Sequence, residues 1–212
     1  MCRAYPLRHD RIKTMAVNCA KCGRQYDVTL FQFGRTINCA CGERVGLEHR
    51  LNLTPDAELK FFADVNVASV VRWLRALGID TVWENAIPDG DLVRRAIEER
   101  RYVLTLDKRL LKEWRADNVL LLRTERAFEQ FQEIVAHFKI EKPRKLFTRC
   151  LLCNTLLRDA GAEEIALGGL PNRLAQNQML FFYCPTCNKV YWEGSHTRRM
   201  REAIEGVFNT RE

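Results

Sequence analysis

The chain has 212 residues and a net charge of +7, from 34 basic and 27 acidic side chains. This length allows one domain of ordinary size with small appendages, and the modest positive excess permits an anionic partner such as nucleic acid. No apolar stretch approaches the roughly 20 residues that a membrane helix needs. The first 17 residues are rich in charge and lack the apolar core of a signal peptide. We therefore expect a soluble, cytoplasmic protein that does not engage a membrane.

The N-terminal quarter predicts a small metal-stabilised module. Residues 1–15 predict a disordered tail, and residues 16–50 predict short strands around two close pairs of cysteines. Two such pairs can close a four-sulfur zinc site, although the second pair is one residue shorter than usual. An N-terminal zinc ribbon is therefore predicted, followed by a linker over residues 51–58. Its ligands are Cys19, Cys22, Cys39 and Cys41.

The middle of the chain, residues 58–146, contains no cysteine and alternates short apolar runs with helical patterns. Gly78 stands where a glycine would end the first helix. Strands that alternate with helices predict an α/β fold, with a parallel sheet and helices on both faces. Strands are predicted over 59–63, 79–83, 102–106 and 118–122, and helices over 67–77, 91–100, 108–114 and 125–138.

Residues 147–208 predict a second zinc ribbon and a closing helix. The ribbon carries two Cys-x-x-Cys pairs, and Ser195 is a candidate N-cap for a helix that places His196 in its first turn. Disulfides are the alternative for both cysteine groups. Zinc is favoured because a chain without a secretion signal keeps its thiols reduced. The ligands of this second site are Cys150, Cys153, Cys184 and Cys187.

Three aspartates are candidates for the chemistry of the middle domain. Asp64 follows the first strand, Asp107 follows the third, and Asp89 lies at the start of the second helix. In a parallel sheet these positions share one edge, where ligands gather. Carboxylates that converge repel one another unless a hard cation such as Mg²⁺ or Mn²⁺ neutralises them. Such a cation could hold a phosphodiester oxygen and polarise an attacking water.

Each candidate also has a structural alternative. Asp89 or Asp91 could simply cap the second helix, and either could be the third ligand. Asn66 is expected to cap the first helix more than to serve the site, whereas Thr105 could bond a metal ligand or merely favour a strand. Basic groups near these positions could meet a substrate backbone: Arg72, Arg75, Lys108 and Arg109.

Several stretches resemble a known family. Residues 61–64 and 73–81 look like the opening of PIN-like nuclease domains, and more narrowly like the Mut-seven C-terminal RNase family. Residues 103–107, 149–154 and 183–196 fit the same family, so the resemblance covers about residues 59–208. It implies a PIN-like α/β domain with a zinc ribbon and metal-dependent cleavage of RNA. The acidic residues at the family's positions are Asp64, Asp89 and Asp107.

Some positions depart from the family's pattern. Arg109 stands where many PIN-like domains have a fourth acid, and Glu125 is a weaker substitute after the fourth strand. Three acids can hold one metal, so a single catalytic Mg²⁺ or Mn²⁺ is favoured over two. The N-terminal ribbon is not part of the resemblance.

The expected function is hydrolysis of RNA phosphodiester bonds by a metal-dependent nuclease, with two structural zinc ions. The alternative is a zinc-ribbon adaptor that binds RNA or protein and has a degenerate nuclease core. A toxin of a toxin–antitoxin pair is a weaker idea, because the added ribbons exceed what a minimal toxin needs. A redox role for the cysteines is disfavoured because they occur as matched doublets, and a catalytic zinc because four sulfurs close the site.

Overall fold

The computed structural model describes residues 16–47, 57–114, 117–168 and 180–209. The chain forms two compact units. The smaller joins Met1–Arg50 to Arg109–Asp117, and the larger joins Leu51–Lys108 to Asn118–Glu212. The predicted disordered tail and residues 51–56 of the predicted linker lie outside the described residues. Among the described helices, none is long and apolar enough to be a candidate membrane span.

The smaller unit contains two antiparallel hairpins, each with a pair of cysteines at its turn. Its small core contains Phe31 and Val45 together with the buried Cys19 and Cys39. A 3₁₀ helix over Val28–Gly34 joins the hairpins. The short strands predicted around the first cysteine group are thus confirmed. They are β1 (Ala16–Asn18), β2 (Gln25–Asp27), β3 (Thr36–Asn38) and β4 (Arg44–Gly46).

The larger unit is built on a four-stranded parallel sheet, as the alternation of strands and helices predicts. The strand order is β6-β5-β7-β8. The order places β5 and β7 at the centre, which is why their sequences are nearly continuous apolar runs. The strands are β5 (Lys60–Ala63), β6 (Asp80–Trp83), β7 (Tyr102–Thr105) and β8 (Val119–Leu121).

The predicted helices are present, but the first is irregular. A 3₁₀ segment over Val65–Val70, broken at Val67, precedes its α-helical part. This run is rich in valine, whose branched side chain restricts the rotamers that a helix needs. Gly78 ends the helix at a φ of 91°, which fits its predicted role. The helices are α1 (Val71–Ala76), α2 (Asp89–Glu98), α3 (Lys108–Glu113) and α4 (Ala127–His137).

The larger unit also contains a three-stranded antiparallel sheet in the order β11-β10-β9, and Cys184 of the second cysteine group is the last residue of β10. The final helix begins at Ser195. This residue is therefore the first residue of the helix and not the N-cap that was predicted. The elements are β9 (Arg158–Asp159), α5 (Ala162–Leu167), β10 (Phe181–Cys184), β11 (Lys189–Trp192) and α6 (Ser195–Asn209).

Helices cover both faces of the parallel sheet. Phe61 and Ala63 belong to a buried cluster with side chains of α1, α4 and α6, including Ile204 and Val207. On the other face, the Arg95 guanidinium of α2 lies 5.1 Å from the centre of the Phe62 ring. The closing helix α6 therefore completes the core of the sheet domain.

Candidate active site and cysteine clusters

The parallel register brings Asp64 and Asp107 to the same edge of the sheet. Ala63 is paired with Leu104 of β7, and the Asp64 amide donates to the Leu104 carbonyl at 2.9 Å. Both aspartates therefore leave their strands at the carboxyl edge, where the sequence places them. Asp64 is buried, with 6% of its surface exposed, and Asp107 is partly buried.

The Thr105 hydroxyl joins the two aspartates. It donates to Asp64 Oδ2 at 2.6 Å and accepts from the Asp107 amide at 2.9 Å. Thr105 is fully buried, so this hydroxyl has little freedom to turn elsewhere. The carboxylate of Asp64 is fixed relative to the backbone that carries Asp107. Of the two alternatives left open for Thr105, the bond to a candidate ligand is present.

Asn66 belongs to this cluster and does not cap the first helix, which corrects the favoured expectation. Asp64 is the cap, because its Oδ1 accepts from the Val65 amide at 2.6 Å. Asn66 Nδ2 donates to Asp64 Oδ2 at 2.7 Å, and its Oδ1 accepts from the Leu106 amide at 3.0 Å. Asn66 thus ties the end of β5 to the end of β7.

Asp89 begins α2, in the connection that follows β6. The N-cap of this helix is Pro88, with no capping bond from its side chain, so neither Asp89 nor Asp91 is the cap residue. Asp91 forms an ion pair with Arg94 at 3.2 Å and is exposed. The negative charges of Asp89 and Asp91 in the first turn still stabilise α2, because they interact favourably with the helix dipole.

The three aspartates do not form a closed chelate. In the described part of the chain, the groups of three or more possible ligands whose donor atoms lie within 4.8 Å of one another consist of cysteines. The carboxylates of Asp64, Asp89 and Asp107 therefore do not all lie within direct-ligand distance of one another. Magnesium commonly retains several waters and uses one or two carboxylates. Asp64 and Asp107, which leave neighbouring strands at the same edge, could therefore hold a hydrated hard cation.

Arg75, one of the basic residues expected to meet the substrate, instead donates hydrogen bonds within the fold. Arg75 is buried and donates to the Thr81 carbonyl at 3.0 Å, to Leu151 at 3.1 Å and to Leu152 at 2.6 Å. The expectation for Arg75 is therefore wrong, because its guanidinium binds backbone carbonyls inside the fold. Arg72, Lys108 and Arg109 are exposed.

Each cysteine group has the geometry of a four-sulfur site. In the first, Sγ–Sγ distances are 3.6 Å for Cys19–Cys41 and 3.5 Å for Cys22–Cys39. In the second, they are 3.9 Å for Cys150–Cys187 and 3.4 Å for Cys153–Cys184. A zinc–sulfur bond of about 2.3 Å in a tetrahedron sets sulfurs about 3.8 Å apart. All eight cysteines are free of disulfides, so both groups could hold zinc.

The thiols of the second cluster differ in their tendency to ionise. Burial opposes ionisation of Cys153, but hydrogen bonds from Thr155 and from neighbouring thiols lower its pKa to about 6. The hydrogen bond with Cys153 raises the pKa of Cys187 to about 12. Zinc binds thiolates and must displace any protons on the four sulfurs, so its affinity should fall as the pH decreases.

We expect two zinc ions per purified chain by elemental analysis. The sulfur spacing of the first cluster matches that of the second, so the shorter Cys39-x-Cys41 pair should not prevent binding. Replacing Cys22 and Cys41 by serine should leave one zinc. A content of one in the unmodified protein would show that the shorter pair fails.

A buried ionic network holds the second cysteine cluster to the opposite, amino edge of the sheet. Asp80 begins β6, and its Oδ1 accepts from Arg101 at 2.7 Å and from Asn154 Nδ2 at 2.7 Å. Asn154 follows Cys153 directly, and its Oδ1 accepts from the Thr81 amide at 3.1 Å. Sequence patterns missed this network; its one visible signal is a charged residue at the start of an otherwise buried strand.

The Asp80 network predicts a loss of stability in acid. Burial opposes the charge on Asp80, but the bonds from Arg101 and Asn154 outweigh it and lower the pKa. The ionised Asp80 carboxylate therefore stabilises the folded state at pH values above its pKa in the unfolded chain, which is about 3.9. This contribution is lost as the pH falls through the lower pKa of the folded state. Asp80→Asn should cost about 2 kcal/mol at pH 7.

Urea unfolding of both proteins at a series of pH values checks this expectation. The difference between them should shrink below a pH of about 4. Asp159→Asn, at an exposed position of β9, is the matched control and should show no such dependence. A gap between Asp80→Asn and the unmodified protein that is constant with pH would contradict the assignment.

These features define a class of protein before they define a family: a parallel α/β protein with two four-cysteine clusters compatible with zinc ribbons. The model of one family, the Mut7-C RNAse domain, matches residues 59–204, and the chain belongs to this family. The match runs from the start of β5 into α6, so it includes the parallel sheet and the second cluster but not the first. No curated protein and no solved structure matches the chain.

Proposed function

We propose that this protein is a metal-dependent ribonuclease with a PIN-like core, and that Asp64, Asp89 and Asp107 are its catalytic acids. The observation that carries the proposal is the Thr105 hydroxyl, which joins the Asp64 carboxylate to the Asp107 backbone at the carboxyl edge. Membership of a family described as an RNAse domain supports RNA as the substrate.

Asp64, Asp89 and Asp107 would hold Mg²⁺ or Mn²⁺ in part through the waters that the ion retains. When bound, such an ion lowers the pKa of a coordinated water and offsets the charge that develops on the phosphate. Asp64 is positioned for this by three donors, the Val65 amide, Asn66 Nδ2 and the Thr105 hydroxyl. A ligand fixed in this way loses little entropy when a cation binds.

The aspartates would also orient the attacking water. Their negative oxygens can accept its protons and direct its lone pair toward the phosphorus. Arg72 and Lys108 are exposed. Arg72 lies in α1, which follows β5, and Lys108 begins α3, which follows β7. Their charges would attract the RNA backbone and would weaken in high salt.

The carboxyl edge also offers apolar surface for an unpaired base. Trp83 ends β6 in register with Ala63, the residue before Asp64, and is 38% exposed. Val65, the residue after Asp64, is 51% exposed. Aromatic side chains stack on bases of single strands. We therefore propose single-stranded RNA as the substrate class, and a cytoplasmic location where such RNA is present.

The test is degradation of a labelled single-stranded RNA with and without Mn²⁺. Cleavage that requires the metal and stops with a chelator is the expected result. The alternative, an RNA-binding adaptor with a degenerate core, is favoured by Arg109 at the place of a fourth acid. RNA that shifts on a gel but is never cut would support the adaptor and contradict the nuclease.

A further inference from the structure

The smaller unit includes part of a helix from the middle of the chain. In addition to residues 1–50, it takes in Arg109–Asp117, which contains all of α3 except Lys108. The smaller unit is therefore built from two separate stretches of the chain. The hairpin β3–β4 belongs to the same unit as Arg109–Asp117, the segment that lies between β7 and β8 in the sequence.

Two side chains of that hairpin bind the last carbonyls of α3. The Thr36 hydroxyl oxygen lies 2.8 Å from the Lys112 carbonyl and 2.9 Å from the Glu113 carbonyl, and its one hydrogen is shared between these two acceptors. Arg44 Nη1 donates to the Lys112 carbonyl at 3.0 Å and reaches that of Leu111 at 3.4 Å. A β-bridge between Arg35 and Trp114 continues the contact.

These bonds supply what a short helix lacks. The last carbonyls of any helix have no partner within it, and a cation near them complements the helix dipole. A helix of six residues is far too short to be stable alone. The hairpin therefore caps α3 and keeps it helical.

The capped helix begins directly after a proposed catalytic acid. Asp107 is held at its amide by Thr105 and is followed at once by Lys108, the first residue of α3. The backbone of Asp107 thus has two constraints, Thr105 on one side and α3 on the other. Loosening α3 would free the second constraint.

We propose that Thr36 and Arg44 are positioning residues for the acidic edge, which act through α3 on the orientation of Asp107. This inference rests on the proposed function. The turn of the same hairpin carries Cys39 and Cys41, so zinc at the first cluster would stabilise the hairpin that presents both side chains.

The packing around Thr36 provides a second way to disturb the cap. A Cβ added at Gly46 would lie 2.6 Å from Thr36 Cγ2, which is closer than real contacts allow. Gly46→Ala should therefore displace the Thr36 side chain while keeping its hydroxyl, and the added Cβ would also lie 3.2 Å from the Arg35 carbonyl. Thr36→Val removes the hydroxyl and keeps the shape of the side chain.

The experiment compares Thr36→Val, Gly46→Ala and the conservative Thr36→Ser, with zinc content measured for each. Hydrogen exchange of residues 108–114 reports on the helix, and titration with Mn²⁺ followed by its electron paramagnetic resonance reports on the acidic edge. Losing the hydroxyl should speed exchange in α3 about fivefold and weaken Mn²⁺ binding about threefold. Thr36→Ser should behave as the unmodified protein.

Thr29→Val is the matched control, because the Thr29 hydroxyl lies in the same unit and bonds Asp27. It should leave both readings unchanged. Unchanged exchange in Thr36→Val would overturn the cap, and faster exchange with normal Mn²⁺ binding would overturn the positioning role. If the unmodified protein binds Mn²⁺ but cuts no RNA, the nuclease proposal fails, while these two readings still decide the role of Thr36.

Discussion

Replacing Asp64 by asparagine should reduce Mn²⁺-dependent RNA cleavage by about 10³-fold. Asparagine has nearly the same shape, and its amide oxygen can still accept bonds from Thr105 and Asn66. The change removes one negative charge at the carboxyl edge and also the bond that Oδ1 accepts from the Val65 amide, because an amide nitrogen cannot accept a hydrogen bond. Asp107→Asn should have a comparable effect. Initial rates on labelled single-stranded RNA, at a fixed Mn²⁺ concentration, measure both losses.

The controls for this experiment are other aspartates of the same unit. Asp159→Asn, exposed on β9, should retain full activity. Asp89→Asn and Asp91→Asn form a matched pair at the start of α2. Asp89→Asn should cause the greater loss because Asp89 is the proposed catalytic acid. Equal cleavage by all these preparations would mean that a contaminant cuts the RNA.

Replacing Arg75 by methionine should lower the free energy of unfolding by about 3 kcal/mol. Methionine fills much of the same volume, but the Thr81, Leu151 and Leu152 carbonyls lose their donor. Leu151 and Leu152 lie between Cys150 and Cys153, so the loop that holds half of the second cluster would loosen. Zinc should therefore be lost more readily to a chelator.

Arg72→Met is the matched control for this change. Arg72 lies on the same helix and is exposed, so its replacement should alter stability by less than about 0.5 kcal/mol. Urea unfolding and the rate of zinc transfer to a colorimetric chelator measure the two effects. A stable Arg75→Met that keeps its zinc would show that the loop is held by other contacts.

The sheet and its helices could be predicted because their signals are local. Alternating apolar runs and helical spacing identify the strands and helices to within a few residues, and Gly78 marks the end of the first helix. The irregular start of that helix was not predicted. Its valines occur at helical spacing, yet their branching opposes an α-helix, and spacing alone does not report this conflict.

The site was predictable only in part, because its remaining contacts join distant parts of the chain. The strand ends identify Asp64 and Asp107, and the two-residue spacing to Asp107 identifies Thr105. Two features stayed hidden: the burial of Arg75 beneath residues 151 and 152, and the bond from Thr36 to α3. Both pair a side chain with a backbone carbonyl some 76 residues away, which leaves no trace in composition or periodicity.

The interrupted make-up of the smaller unit has a consequence for synthesis on the ribosome. Its second part, Arg109–Asp117, is translated long after its first part, residues 1–50. Thr36 and Arg44 therefore cannot bond the Lys112 carbonyl until more than half of the chain has been synthesised. An N-terminal fragment that ends before residue 109 would lack those partners, and expressing it alone should give a less ordered hairpin than the full chain contains.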